Sequence, residues 1–136
     1  VWHRRPCRRA QKANADAVAV CTQLSSNRLP RLFRLVEHWR GAVIAAVLLT
    51  GPDGSPPGAS NEDRGADVQK ECAELCASME SRIPGVSVEI LLFTWTKSSK
   101  DAYYPVNELR NAALTQARSF DFVLQLDVDF IPSAGL

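Results

Sequence analysis

The run AVIAAVLL at residues 42–49 is the strongest constraint on how this chain can fold, because it is eight apolar residues long with no polar alternation. A strand that is apolar on both faces needs cover on both, which makes it the central strand of a parallel sheet rather than a half-solvated hairpin. The run is also the longest of its kind in the chain, and it falls well short of the roughly 20 apolar residues that cross a bilayer. No membrane segment is therefore expected within these residues.

The segments around it alternate in period. DAVAVCTQL, residues 16–24, reads as a buried strand emerging at a sheet edge, and SSN at 25–27 offers caps to a helix that follows. In that helix Leu29, Leu32, Phe33, Val36 and Trp39 recur at three- and four-residue spacings, Pro30 is tolerated in the first turn, and Gly41 ends it. A long Gly-, Pro- and Ser-rich connection occupies residues 50–67. Val68, Cys72, Leu75, Cys76 and Met79 mark a second helix over 66–79, VSVEILLF at 86–93 a third strand, and Pro105 opens a third helix to about Arg118. Phe120–Leu126 is the fourth strand. The order β-α-β-α-β-α-β predicts a doubly wound α/β domain with a mostly parallel sheet.

With 46% hydrophobic and 23% charged residues in 136, the chain has the balance of one folded domain with a real core. A formal net charge of +1 gives no global basic field and argues against a nucleic-acid partner. The dense cluster HRRPCRR at 3–9 reads as a solvated basic arm, and residues 1–17 are left without a domain assignment. That basic start leads into no apolar stretch of the kind found in a secretory signal. The chain starts with valine and stops soon after its last strand, as a piece of a longer protein would. Cys7, Cys21, Cys72 and Cys76 are too scattered for a disulfide framework, and without a Cys-x-x-Cys pair, and with only His3 and His38 beside them, they do not describe a zinc site.

In sheets of this kind ligands bind beyond the carboxyl ends of the strands. The rule selects Thr22 and Gln23, the loop in the 50s, Thr94–Lys97 and, above all, the pair Asp127 and Asp129 in LQLDVDFIPS. Two carboxylates one residue apart at a strand end are hard oxygen ligands for Mg²⁺ or Mn²⁺, ions often held by one or two acids together with substrate phosphates. On the preceding helix Asn107, Arg110 and Asn111 stand at i, i+3 and i+4 and share a face, where a guanidinium between two amides suits a phosphate or a cluster of sugar hydroxyls.

YYPVNELRNAAL at 103–114, followed by FDFVLQLDVDFIPSAGL at 120–136, closely resembles the LARGE-type glycosyltransferases of glycosyltransferase family 49, which include β-1,4-glucuronyltransferase and LARGE-like xylosyl/glucuronyl transferases. A weaker likeness runs through CTQLSSNRLPRLFRLVEHWRGAVIAAVLL at 21–49. The resemblance implies a GT-A fold, a Rossmann-like α/β/α sandwich, with residues 18–136 forming its donor half and the chain truncated after the Asp-x-Asp strand. It further implies transfer of a glucuronic acid or xylose type of sugar from a UDP-sugar to a glycan acceptor, with Mn²⁺ or Mg²⁺ as cofactor and the Golgi lumen as location. Asp129 would be the direct metal ligand and Asp127 would bind the metal or the donor's ribose and sugar. Asn107, Arg110 and Asn111 would lie beside the donor, and Thr22 and Gln23 near the uridine.

Gln125 stands where the family usually has an apolar residue. The acceptor side and the general base of an inverting enzyme are expected downstream of Leu136, so the catalytic residue is unknown from these residues. Two alternatives remain open. One is a non-catalytic or incomplete piece of such an enzyme. The other is a phosphatase of the haloacid-dehalogenase type, with Asp127 as nucleophile. The apolar strand before the two acids should be covered on both faces, with later elements of a complete domain helping to cover it, so the isolated chain is expected to be marginally stable and to associate.

Overall fold

The computed structural model describes residues 2–6, 18–51, 53, 62–95 and 104–133. Five strands form one sheet: β1 (Trp2–Pro6), β2 (Val18–Ser25), β3 (Ala42–Leu48), β4 (Ser87–Trp95) and β5 (Phe122–Gln125), in the spatial order β1-β4-β3-β2-β5. β2 to β5 are parallel to their neighbours, and β1 adds an antiparallel edge against β4. The predicted α/β class with a mostly parallel sheet is what is found.

β3 lies at the centre, with every residue buried, as its unbroken apolar run requires. Three helices cover the sheet: α1 (Leu29–Trp39), α2 (Glu62–Arg82) and α3 (Val106–Gln116). Leu29, Leu32, Leu35 and Val36 of α1 and Val68, Cys72, Cys76 and Met79 of α2 form one core with Val20, Val43, Val47 and Ile90. On the opposite face Leu109, Ala113 and Ala117 meet Ala19, Cys21, Ala42, Ile44 and Ala46. Small residues on both sides let α3 lie close to the sheet, near enough for the Cys21 thiol to donate to the Ala113 carbonyl at 3.6 Å. The result is a three-layer α/β/α arrangement, Rossmann-like and of the GT-A kind.

The topology fixes where a ligand can sit. From β2 the chain steps outward to β3 and β4 with α1 and α2 on one face. It then returns through α3 on the other face to place β5 against the far side of β2. Right-handed crossovers require that change of face when the direction of travel reverses. The reversal makes the carboxyl ends of β2 and β5 a topological switch point, the crevice where open α/β sheets bind ligands.

Some local expectations change. The cap of α1 falls later than SSN: Ser26–Arg28 form a single 3₁₀ turn and Arg28 is the N-cap residue, with no cap bond from its own side chain. Ser26 instead spans to the end of β3, where its hydroxyl oxygen accepts from the Thr50 amide at 3.0 Å. The backbone of the first residues of the basic arm pairs as β1 with the edge of β4, which offers a strand's hydrogen-bonding groups. Cys7 and the rest of the arm to residue 17, most of the 50s loop, and residues 96–103 lie outside the described residues. On β5, the outermost parallel strand of the sheet, Phe122 is 65% exposed and Val123 38% exposed, so within this chain its faces await the cover expected from further elements of a complete domain.

Candidate functional site

The acidic pair does not stand on an extended strand. β5 ends at Gln125, and after the Leu126 amide has bonded to the Cys21 carbonyl at 3.0 Å the chain turns, the Phe130 amide donating to the Asp127 carbonyl at 3.0 Å. Asp127 and Asp129 are thus the first and third residues of a four-residue turn. Val128 between them is buried in the core shared with α1 and α2 and pins the turn in place. The turn sends the carboxylates to different neighbours. Asp127 Oδ1 accepts from Arg110 Nη2 at 3.3 Å, on the side of α3. Asp129 lies beside the start of α1, where Oδ1 accepts from Arg31 Nη1 at 2.6 Å and Oδ2 accepts from Arg28 Nη2. The hydrogen bond and charge of Arg28, reinforced by Arg31, hold the Asp129 carboxyl below the usual carboxylate range.

Of the residues expected at the site, Arg110 joins it directly, and Asn107 and Asn111 flank Arg110 on the exposed side of α3, away from buried Leu109 and Ala113. Thr22 and Gln23 separate, since successive strand residues face opposite ways. Gln23 points to the α3 side and accepts from the Tyr104 hydroxyl at 2.5 Å. Thr22 is 2% exposed on the face of Val20 and Leu24, and its hydroxyl has no hydrogen-bond partner among the described residues. The physical reason is length: β2 runs on to Ser25, so Thr22 lies inside the strand rather than at its mouth.

Three members of the cluster were not selected from the sequence: Arg28, Arg31 and Tyr104. Tyr104 precedes α3, and its phenol is pushed up to about 12, first by partial burial, with Arg28 pulling it down and Asp127 pushing it up. Those opposing influences place it within electrostatic reach of both sides of the turn. A usable clue for the arginines existed in the sequence, because Arg28 and Arg31 follow soon after the carboxyl end of β2, the edge that the ligand rule selects.

Arg28, Arg31 and Arg110 set three guanidinium groups against two carboxylates. Among the described residues no group of three or more His, Cys, Asp or Glu gathers to hold a metal ion. Two carboxylates without a third protein ligand form a donor set that suits a hard dication arriving with phosphate oxygens, and the excess of guanidinium suits the phosphates themselves.

The sequence model of a family described as "Glycosyl-transferase for dystroglycan" matches residues 54–136, which include α2, α3 and the acidic turn. The chain belongs to this glycosyltransferase family. It is similar to the glycosyltransferase-like protein gnt15 of Dictyostelium discoideum, 28% identical over 131 residues that make up 93% of this chain and 21% of the relative. It is also similar to the xylosyl- and glucuronyltransferase LARGE2 of Rattus norvegicus, 31% identical over 119 residues, 88% of this chain and 14% of that protein. The human LARGE2 is 30% identical over the same length. The chain thus spans about a fifth of the first relative and about a seventh of the LARGE2 proteins. Family membership agrees with the resemblance carried by YYPVNELRNAAL and LQLDVDFIPS. No helix among the described residues is long and apolar enough to cross a membrane.

Proposed function

We propose that this chain supplies the donor side of a glycosyltransferase site, binding a UDP-sugar with Mn²⁺ or Mg²⁺ at the turn that carries Asp127 and Asp129. The observation that supports this most is the meeting of that turn with Arg28, Arg31 and Arg110 at the switch point between β2 and β5. A metal-bound diphosphate needs carboxylates for the cation and guanidinium groups for the phosphates, and both occur there. A divalent cation, when bound, neutralises the diphosphate and stabilises it as a leaving group.

The chain's own residues prepare that corner. Arg110 orients Asp127 from α3, and buried Val128 fixes the turn so that both acids remain at the mouth of the crevice. The Tyr104–Gln23 bond ties the start of α3 to β2 and defines the wall on that side, where a uridine could lie. Asn107 and Asn111 offer amides beside Arg110 for the hydroxyls of the donor's ribose or sugar. Xylosyl and glucuronyl transfer, which the names of the LARGE2 relatives state for those proteins, guide the choice of glucuronic acid or xylose as the sugar and a glycan as the acceptor. The Golgi lumen is the corresponding location.

Calorimetry of UDP binding tests the reading. UDP should bind in the presence of Mn²⁺, lose most of its affinity when the ion is chelated, and lose it equally in Asp129→Ala with the ion present. Equal affinity with and without metal would contradict it.

A further inference from the structure

Arg28 and Arg31 form the one strongly charged feature of this site that neither the sequence motifs nor the family match assigns. They come from the 3₁₀ turn and the first turn of α1, yet they converge on a carboxylate 101 and 98 residues further along the chain. Each takes a different oxygen of Asp129, so neither oxygen is without a guanidinium. Both arginines remain accessible, at 40% and 58% of the side chain, so they can change partner without disturbing the core. One carboxylate balances one of the two charges. α1 has no acidic residue in its first turn and no side-chain cap, and its dipole adds further positive potential at the same end. A site with this surplus is completed by an anion.

We propose that Arg28 and Arg31 act as a two-position clamp, resting on Asp129 while the donor site is empty and moving to the donor's diphosphate once a divalent cation has taken Asp129. The inference rests on the donor-site reading above. Cation and guanidinium compete for the same carboxylate oxygens, so a cation arriving alone must bind against the clamp. A diphosphate arriving with the cation gives the arginines a new bidentate partner and removes that opposition. Metal and nucleotide therefore favour each other's binding, and the coupling is reciprocal. The arginines are positioning residues for the leaving diphosphate, and they also make the metal site selective for a metal that comes with nucleotide.

Calorimetry on the full chain separates the possibilities, using Mn²⁺ alone and UDP in saturating Mn²⁺ as probes. The variants are Arg28→Ala/Arg31→Ala and Arg28→Lys/Arg31→Lys, with thermal melting as the check on folding. The alanine pair should bind Mn²⁺ alone severalfold more tightly than wild type and bind UDP about tenfold or more weakly, two effects of opposite sign. The lysine pair should recover part of the UDP affinity, since it keeps the charge and loses the planar fork. A parallel loss of both affinities, or no change in either, would overturn the clamp while Mn²⁺-dependent UDP binding by the wild type left the donor-site reading standing. Absence of that wild-type binding would overturn the donor-site reading and the clamp with it.

Discussion

Asp129 carries two guanidinium partners on an exposed turn, and its electrostatics make a signed prediction. Its carboxyl titrates below the usual range in the folded chain, chiefly because of Arg28. A group whose folded pKa is depressed contributes stability that is present above the unfolded carboxylate pKa and is lost as pH falls through the folded one. Melting curves of wild type and Asp129→Asn should therefore differ at neutral pH and converge in acid, below the ordinary carboxylate range; a difference that did not change with pH would contradict this. The sequence made Asp127, Asp129 and Arg110 legible because a local pattern carries them: two acids after an apolar strand, and a polar face at helical spacing. It left Arg28 and Arg31 unread because their meaning depends on a partner about a hundred residues away, set by sheet order rather than by neighbours. Thr22 shows the converse: β2 runs on to Ser25, so Thr22 lies within the strand, on the buried face it shares with Val20 and Leu24.

Elements were legible where the hydrophobic period is strong. β3 and the buried faces of α1 and α3 follow directly from it, whereas helix ends depend on backbone geometry that the period does not encode. The exit of α1 illustrates this. Arg40 adopts a left-handed conformation with φ 56°, its amide donating to the Val36 carbonyl at 3.1 Å, and Trp39 folds back so that its indole donates to the Ala42 carbonyl at 3.2 Å. The indole lies over Gly41, where a Cβ would come within 2.8 Å of its nitrogen, which is why the residue between Arg40 and β3 is glycine. A left-handed conformation costs an L-residue roughly 1 kcal/mol or more that glycine does not bear, offset in part by glycine's greater freedom when unfolded. Arg40→Gly should accordingly stabilise the chain by about 0.5–1 kcal/mol in chemical denaturation, with the arginine's 3.3 Å bond to the Glu37 carbonyl a minor loss at the surface. A clear destabilisation would show that this side chain matters more than its backbone.

At the scale of the molecule, strand order does what no single motif can. Travel from β2 to β4 in one direction and back to β5 in the other brings the start of α1, the start of α3 and the acidic turn to one crevice. The apolar surface of β5 and its turn is open in this chain: Phe122 on the strand and Phe130, the last residue of the turn, are more than half exposed. Family membership identifies the chemistry to look for, and the topology says where in this chain it should occur. Paramagnetic broadening of amide resonances tests that most directly, with Mn²⁺ titrated at substoichiometric levels into the chain saturated with UDP. Amides of Asp127–Phe130 should vanish first, followed by those near Arg28 and Tyr104, while the centres of β3 and α2 stay sharp. Broadening that spread evenly over the surface, or that centred away from the acidic turn, would contradict it.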